Sequence, residues 1–198
     1  MIVITGAAGF IGSALAWHFN LAGHNDLWLV DELGHGQKCL NLAGLDFADY
    51  TDKGEFLERL AAGSVPPLEA VFHLGACSST TETDAAYLMR NNFAYTRALA
   101  KWCLARGVRL VYASSAATYG DGAQGYSEDA SGLPRLRPLN AYALSKHAFD
   151  LWACHAGALD RIAGLKYFNV FGPNEYHKAE MRSMALRAFE QIQSVGRV

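Results

Sequence analysis

Short apolar runs alternate with helical stretches along the chain. Runs rich in Val, Ile and Leu predict strands at 2–5, 27–30, 70–74, 109–113 and 162–168. Helical stretches are predicted at 10–21, 53–62, 83–106, around 142–146 and at 181–193, with turns filling the rest of 33–68. Strands that alternate with helices predict βαβ units. The pattern therefore predicts an α/β fold of the Rossmann type, a doubly wound parallel sheet covered on both faces.

A glycine-rich turn follows the first predicted strand. Gly6, Gly9 and Gly12 have the spacing G-x-x-G-x-x-G between a strand and a helix. Glycine permits a tight turn and close backbone approach, and a helix N-terminus stabilises a pyrophosphate. A glycine-rich turn can also simply connect a strand to a helix. Its position, and Asp31 at the end of the next strand, favour a dinucleotide site.

Charges near Asp31 leave the choice of dinucleotide open. Asp31 can accept hydrogen bonds from an adenosine ribose, as NAD requires, and Glu32 adds a negative charge that repels a 2′-phosphate. Lys38 and Lys53 can supply positive charge near the same edge, although a single lysine is more often plain solvated surface. The charges alone do not decide between NAD and NADP.

Tyr142 and Lys146 are one helical turn apart, so both side chains project from the same helix face. An ammonium within about 4–6 Å of a phenol favours the phenolate and lowers its pKa, so such a tyrosine can move a proton at neutral pH. Ser114 or Ser115, at a predicted strand end, can face a nicotinamide and a reacting hydroxyl. A serine there can also simply bond local backbone. The three residue types together predict redox chemistry on a bound nicotinamide.

Composition sets broader limits. A chain of 198 residues with 51% hydrophobic and 18% charged residues can bury a substantial core, in one domain or slightly more. A net charge of −2 gives no case for nucleic acid or an anionic membrane surface as partner. The first basic side chain is Lys38, and the cysteines are scattered without a C-x-x-C pair. We therefore expect a cytoplasmic protein without a metal site.

Several of these strings resemble a known family. The glycine turn, Ser-Ser-Ala-Ala-Thr-Tyr-Gly at 114–120 and Tyr142-x-x-x-Lys146 are similar to those of the extended short-chain dehydrogenase/reductases, which include nucleotide-sugar epimerases and dehydratases. A second set resembles the ADP-L-glycero-D-manno-heptose 6-epimerase branch, which serves lipopolysaccharide core precursor synthesis. That set comprises Gly-Ala-Cys-Ser-Ser-Thr-Thr-Glu at 75–82, Leu-Asp-Phe-Ala-Asp-Tyr at 45–50, Tyr-Phe-Asn-Val-Phe-Gly-Pro at 167–173 and His-Lys at 177–178.

The resemblance implies epimerisation at C6 of the heptose of ADP-D-glycero-D-manno-heptose, by transient oxidation and re-reduction with NADP, or with NAD. It implies that Tyr142 and Lys178 act as acid/base groups on opposite faces of the substrate. Ser115 would bond the reacting oxygen, and Lys146 would bind the nicotinamide ribose and lower the pKa of Tyr142. It also implies a homo-oligomer whose small-molecule partner is ADP-heptose.

The resemblance assigns ligand contacts to further positions. Cofactor contacts are implied for Gly6, Gly9, Phe10, Ile11, Gly12, Asp31, Glu32, Lys38, Lys53, Leu74, Gly75, Ala76, Ser78, Asn91, Asn92, Lys146, Val170 and Lys178. Substrate contacts are implied for Ser79, Ser115, Asn169, Glu180 and Arg187.

The chain departs from the family pattern in four respects. Leu74 stands where some members carry a glutamate, and Glu32 replaces a neutral residue. Glu180 stands where a serine is expected and Arg187 where a histidine is, so the sugar contacts are expected to be rearranged. The fourth departure is the end of the chain at Val198, since family members run to about 300 residues or more.

That length predicts a Rossmann domain at 1–173, incomplete at its C-terminal end, and a truncated start of a substrate domain at 174–198. The predicted helix 181–193 then lacks a partner for its apolar side chains. Such a chain is either a fragment of a longer product or relies on self-association. The unpartnered side chains are Met184, Leu186, Phe189 and Ile192.

Two other functions stay open. A different nucleotide-sugar enzyme, such as a 4-epimerase or 4,6-dehydratase, is favoured only if Glu180 and Arg187 redirect the pocket. Ala116 and Ala117 argue against a dehydratase, which usually carries an acidic residue after the strand-end Ser/Thr. The third function is a catalytically incompetent fragment that only binds nucleotide. Turnover of substrate separates the first two functions from the third.

Overall fold

Six parallel strands form one sheet in the order β3-β2-β1-β4-β5-β6. The computed structural model describes residues 1–197. The strands are β1 (Ile2–Thr5), β2 (Leu27–Asp31), β3 (Asp49–Asp52), β4 (Ala70–His73), β5 (Arg109–Ser115) and β6 (Ile162–Tyr167). The α-helices are α1 (Phe10–Leu21), α2 (Lys53–Ala62), α3 (Ala85–Leu88), α4 (Tyr95–Arg106), α5 (Ala141–His155) and α6 (Met184–Val195). The predicted Rossmann-type fold is confirmed.

β1 lies at the centre of this sheet, and the order of the strands reverses beside it. Ile4 pairs with Leu29 of β2 on one side and with Phe72 of β4 on the other. In open parallel sheets, ligands bind beyond the carboxyl ends of the strands at such a switch point. The loops after β1 and β4 are therefore the expected walls of a binding crevice.

The two faces of the sheet pack against different helices because successive side chains of a strand point to opposite faces. Val3 and Trp28 lie in a buried cluster with side chains of α2, α4 and α5. Ile4 and Leu29 lie in a second cluster with Ala16 of α1. The sheet is thus covered on both faces, as the sequence predicts.

Four features differ from the predicted elements. β3 is an additional strand in a region predicted to form turns, and its sequence Asp-Tyr-Thr-Asp is polar because it lies at the sheet edge. The helix predicted at 83–106 begins at Ala85 and contains a π-helical turn, Met89–Ala94. β5 continues two residues beyond its predicted end, to Ser115. The last helix begins at Met184, where the hydroxyl of Ser183 caps it, and follows a 3₁₀ turn, Tyr176–Met181.

α6 is poorly covered. Met184, Phe189 and Ile192 are each at least half exposed, as expected for a helix without a partner, whereas Leu186 is half-buried. Within residues 1–197, no helix combines the length and the apolar character that crossing a membrane requires.

Candidate active site

The glycine turn between β1 and α1 leaves no room for side chains. Gly6 has a φ of +70°, and a Cβ there would lie 2.6 Å from the backbone N of Gly75. A Cβ at Gly12 would lie 2.1 Å from the carbonyl oxygen of Gly6. No side chain caps α1, and Gly9, Phe10 and Gly12 line the adjacent cleft. The first N–H groups of α1 therefore remain available to an anion.

A pocket of about 160 Å³ at the end of β2 contains the acidic and basic residues that the sequence places near the adenosine ribose. Asp31 accepts hydrogen bonds from the backbone N–H of Ala8 and from Lys38 Nζ, both at 2.8 Å. Lys53 forms an ion pair with Glu32. Each carboxylate thus has a lysine beside it, so the edge carries no excess of either charge.

Asn91 and several residues that the sequence analysis did not single out complete this pocket. Lys53 Nζ donates to Asn91 Oδ1 at 2.9 Å, which links α2 to the π-helical turn. No spacing rule in the sequence marks the other lining residues, because they come from five separate elements. They are Thr5, Val30, His73, Tyr87 and Tyr95.

His73 is a neutral histidine with both ring nitrogens bonded. The hydroxyl of Thr96 donates to the carbonyl of Asn92, so His73 Nε2 donates to Thr96 Oγ1 at 2.8 Å. His73 Nδ1 therefore accepts from Thr5 Oγ1 at 2.6 Å. Burial, and then the charge of Lys146, lower the pKa of His73 to about 3. The ring is thus a fixed link between β1, β4 and α4.

A larger cleft of about 680 Å³ lies beyond the ends of β1, β4 and β5. It brings together most of the sequence-predicted residues from widely separated parts of the chain. Those that line it are Gly6, Gly9, Phe10, Ile11, Gly12, Asp31, Lys38, Leu74, Gly75, Ala76, Ser78, Ser115, Tyr142, Lys146, Asn169, Val170, Lys178 and Glu180.

α5 positions the tyrosine and the lysine on one face. Asn140 begins this helix, with its side chain accepting from the backbone N–H of Ala143 at 2.8 Å. Tyr142 and Lys146 are both buried at the floor of the cleft. Lys146 Nζ donates to the carbonyl oxygen of Ala113 at 2.8 Å, which ties α5 to the end of β5.

The pKa values of the pair differ from the sequence-based expectation. Burial raises the pKa of Tyr142, and the neighbouring Ser115 hydroxyl only partly opposes this rise. Burial also lowers the pKa of Lys146 to about 8, against the negative charge of Asp150. In the chain itself the pKa of Tyr142 is raised overall, and a lowering of this pKa by Lys146 stays a prediction. The lysine ammonium is bonded to a backbone carbonyl, and the cost of burying a phenolate dominates.

Lys178 also lines this cleft. It lies in the 3₁₀ turn Tyr176–Met181, with Nζ 5.7 Å from the centroid of the Phe10 ring. Phe10 is the first residue of α1, whereas Tyr142 is on α5. The two candidate acid/base groups therefore come from separate elements that line one cleft.

Glu175 anchors the segment that carries Lys178. This buried carboxylate accepts from the backbone N–H of Ser183 at 2.5 Å, from Ser183 Oγ at 2.8 Å and from the N–H of Gly172 at 3.3 Å. Burial raises the pKa of Glu175, but these hydrogen bonds and the charge of Lys178 outweigh burial and hold the pKa below its usual value. The ionised carboxylate of Glu175 thus binds backbone N–H groups on both sides of the 3₁₀ turn and holds the two ends of the turn together.

Three predicted residues line neither cavity. Asn92 is buried in the π-helical turn, where its amide bonds Cys77 and Ser145. Ser79 bonds Thr81, and Arg187 is exposed on α6. The resemblance implies direct ligand contacts for all three residues. Because none of them lines a cavity in this fold, those contacts stay predictions.

The cleft also contains residues that the sequence analysis missed. His177 lines it and lies 3.2 Å from Asn41, whose amide also donates to the carbonyl of Ala8 in the glycine turn. Tyr167, Phe168 and Arg182 also line the cleft, and only the strings around Asn169 and Lys178 signalled their region. Among residues 1–197, no group of three or more His, Cys, Asp or Glu side chains is placed to hold a metal ion.

Comparisons with known proteins agree with this geometry. The sequence profile of the NAD dependent epimerase/dehydratase family matches residues 2–197. A Nitratidesulfovibrio vulgaris (strain DP4) protein named ADP-L-glycero-D-manno-heptose-6-epimerase is 49% identical over 197 residues, which cover 99% of this chain and 61% of that protein. The crystal structure of Helicobacter pylori ADP-L-glycero-D-manno-heptose-6-epimerase has a TM-score of 0.82 at 30% identity, covering 100% of this chain and 64% of that one.

A third comparison extends the likeness of fold. The structure of a Thermotoga maritima UDP-glucose 4-epimerase has a TM-score of 0.77 at 22% identity, over 96% of this chain and 62% of that one. Each comparison covers this chain almost completely. The chain itself spans about three fifths of the length of these relatives.

Proposed function

This chain belongs to the NAD dependent epimerase/dehydratase family, and from that premise we propose that it acts as a heptose epimerase. The reaction is epimerisation at C6 of the heptose of ADP-D-glycero-D-manno-heptose, in lipopolysaccharide core precursor synthesis. One observation carries the proposal: Ser115, Tyr142, Lys146 and Lys178 line one cleft together with the glycine turn. Relatives of nearly 50% identity bear the name of this enzyme.

A nicotinamide dinucleotide fits the residues of this cleft. A Cβ at Gly6 would meet Gly75 and one at Gly12 would meet Gly6, so only glycine allows the tight turn that leads to the N-terminus of α1, where a pyrophosphate would bind. Asp31 and Lys38 lie at the adenosine end, and Lys146 lies at the reaction end. When bound, the nicotinamide takes a hydride from the sugar carbon and later returns it.

We infer that the cofactor is NADP, with NAD as a weaker alternative. Lys38 and Lys53 can turn from Asp31 and Glu32 toward a 2′-phosphate, since both lysines line the adenosine pocket. Asp31 is then freed of one bond and can still accept from a ribose hydroxyl. The two acidic residues nevertheless weaken the attraction for a 2′-phosphate.

The chain's own residues handle the protons. Tyr142 takes the proton of the C6 hydroxyl while Ser115 holds that oxygen, and the C6–H bond breaks with its electron pair leaving as hydride. The product of this half-reaction is a planar carbonyl. A cation beside Tyr142, such as the ammonium of Lys146, would favour its phenolate, because opposite charges attract. The phenolate is the form that can take the proton of the C6 hydroxyl.

The return step uses the second acid/base group, Lys178. It would give a proton to the carbonyl oxygen when the bound dinucleotide returns the hydride to the opposite face of the carbon. Acid/base groups on opposite faces of the sugar, as the family resemblance implies for Tyr142 and Lys178, would allow the configuration at C6 to invert. Asn169 and Glu180 line the same cleft and would contact the sugar or diphosphate.

We further infer that residues 1–173 form the dinucleotide-binding domain and that 174–198 begin the substrate domain. The anchoring of 172–183 through Glu175, apart from the main core, supports this boundary. A cytoplasmic homo-oligomer is the assembly that the family resemblance implies.

The first test is calorimetry of NADP⁺ and NAD⁺ with the purified chain, with and without ADP-heptose. Tight binding of NADP⁺ that tightens further with the sugar nucleotide supports the proposal. Binding of NADP⁺ without any response to the sugar nucleotide makes the chain a cofactor-binding fragment. Where epimer is formed, Tyr142→Phe should lower turnover about 10²–10⁴-fold with unchanged dinucleotide affinity. Tyr126→Phe is the matched control, because Tyr126 is an exposed tyrosine outside the cleft.

One observation favours a second candidate. Glu180 lines the cleft where the family has a serine, and Arg187 lies outside it. A negative charge at this wall would alter the contacts to the sugar and would favour a different nucleotide sugar as substrate. Preferential response of the dinucleotide-loaded chain to UDP-glucose over ADP-heptose would identify that alternative.

A further inference from the structure

A buried carboxylate lies one helical turn beyond Lys146. Tyr142, Lys146 and Asp150 follow one another at intervals of four residues on α5, so their side chains share one face of the helix. Asp150 is only 2% exposed and lines neither cavity. A carboxylate is costly to bury unless it is paired and hydrogen-bonded. Its partners therefore indicate what it is for.

Asp150 ties α5 to two neighbouring strands. Oδ1 accepts from the hydroxyl of Tyr112 at 3.0 Å, and Oδ2 accepts from Ser114 Oγ at 2.7 Å. Lys166 of β6 forms an ion pair with the same Oδ2 at 2.7 Å. Ser114 and Lys166 are register partners in the sheet, so the carboxylate clamps one rung of the β5–β6 ladder.

Lys166 extends this clamp to the candidate reaction centre. Its Nζ donates to Thr118 Oγ1 at 2.6 Å, and the hydroxyl of Thr118 donates to the carbonyl oxygen of Ser115 at 2.7 Å. Ser114 and the backbone of Ser115 are therefore both held by the ion pair. The strand end that presents the Ser115 hydroxyl to the cleft has no freedom to shift alone.

The same carboxylate faces Lys146. The other titratable groups around that ammonium are His73 from β4, Cys77 from the loop after β4 and Tyr142 on α5. His73 is neutral, so it adds no charge beside the ammonium. Burial lowers the pKa of Lys146 to about 8, and the negative charge of Asp150 opposes this fall.

We propose that Asp150 is a positioning residue of this site. Its carboxylate, paired with Lys166, fixes the strand end that carries Ser115 and favours the cationic form of Lys146 on the same helix face. The significance of that form rests on the proposed function, in which Lys146 binds the nicotinamide ribose. The electrostatic claim itself can be tested without any turnover.

The experiment measures the titration of Lys146 by trace acylation with acetic anhydride over a pH series, read by peptide mass spectrometry. Only the neutral amine reacts, so the midpoint of labelling reports when Lys146 loses its proton. In Asp150→Asn this midpoint should fall by roughly one pH unit, in line with the shifts that a close opposite charge produces. Asp160→Asn removes the same charge from an exposed position and should leave the midpoint unchanged.

Asp150→Asn leaves Lys166 buried without its partner and can lose the fold. The double variant Asp150→Asn/Lys166→Met removes both charges, which proteins often tolerate, and should melt close to the unchanged chain. A midpoint that also falls in this variant supports the proposal. An unchanged midpoint in a variant that melts and binds dinucleotide normally overturns it. Loss of the fold in the double variant also overturns it, because the pair would then serve the fold rather than the site.

Turnover supplies a second, separable result. If the unchanged chain epimerises ADP-heptose, Asp150→Asn should lose activity at a lower pH than the unchanged chain, because its Lys146 gives up the proton earlier. If the unchanged chain does not turn over at all, the proposed function fails while the labelling still decides the role of Asp150.

Discussion

The two walls of the cleft are built in different ways. The wall on the dinucleotide side consists of loops at the ends of β1, β2 and β4, and those strands lie almost entirely in the buried core. The other wall is drawn from residues 168–184, in which Glu175 is the single buried residue. One wall thus inherits its position from the whole sheet, whereas the other depends on a few local bonds.

Because the two walls are built differently, we expect the first to be as stable as the whole protein and the second to be only locally stable. Segments with few buried apolar contacts open at a lower free energy than the core does. We therefore expect the dinucleotide wall to open only when the protein unfolds, and the wall that carries Lys178 to open by itself. A site built in this way would hold a bound dinucleotide fixed while its other wall adjusts to a second ligand.

The largest expected difference is between two phenylalanines. Phe149 of α5 is 2% exposed in the main core, whereas Phe189 of α6 is 56% exposed. Phe149→Ala should destabilise the protein by about 3–5 kcal/mol. Phe189→Ala should change the free energy of unfolding by no more than about 0.5 kcal/mol. Chemical denaturation of both variants checks this, and equal losses would show that the two regions are one cooperative unit.

The second effect concerns the glycine turn. A Cβ at Gly12 meets the carbonyl oxygen of Gly6, so Gly12→Ala should displace the turn and weaken NADP⁺ binding by roughly 100-fold, or about 3 kcal/mol. Gly132→Ala is the control, because the added methyl there would lie 3.8 Å from its nearest neighbour, Arg135. Calorimetry measures both affinities. Normal binding by the Gly12 variant would mean that the dinucleotide wall is more adjustable than its packing indicates.

The third effect concerns the anchor of the other wall. Glu175→Gln replaces charge-assisted hydrogen bonds to Ser183 and Gly172 by weaker ones, a loss of about 1–3 kcal/mol that acts locally. Amide exchange should accelerate across 172–183 while the core amides and the melting temperature stay nearly unchanged. Glu58→Gln, on the exposed side of α2 and outside both cavities, is the matched control. Faster exchange throughout the sheet would contradict the independence of this wall.

The smallest effect is the response of this anchor to acid. The pKa of Glu175 lies below its usual value of 4.5, so its ionised form stabilises the folded segment fully above that value. The stabilisation is lost as the pH falls through the lowered pKa, because the proton then binds in the folded state too. Proteolysis within 172–183 should therefore increase as the pH falls below that usual value while the core persists. In Glu175→Gln this pH dependence should disappear.

Sequence reasoning succeeded where a local pattern determines the structure. β1, α1 and α2 have the predicted bounds because each follows a clear apolar or helical run, and the glycine turn needs no distant partner. β3 was missed because an edge strand of polar sequence gives no apolar signal. The π-helical turn was missed for a different reason, since helical spacing looks the same over a turn that holds one more residue.

The candidate site divides in the same way. Tyr142 and Lys146 could be read from their spacing, but the raised pKa of the phenol results from burial, which spacing does not report. The ion pair of Asp150 with Lys166 joins a helix to a strand, so no local spacing predicts it. The sequence shows only that Asp150 lies four residues after Lys146, on the same helix face. Arg187 was placed at the substrate by resemblance alone, and the exposed face of α6 carries it instead.

The contact between Gly6 and Gly75 limits how this protein can evolve. A Cβ at Gly6 would lie 2.6 Å from the backbone N of Gly75, and one at Gly75 would lie 3.1 Å from the backbone N of Gly6. Each position therefore restricts the other, although they lie on separate loops. A mutation at either one leaves a misfitting intermediate that selection removes before a compensating change can arise. The crossing of these loops should thus outlast changes of substrate in the lineages that inherit it.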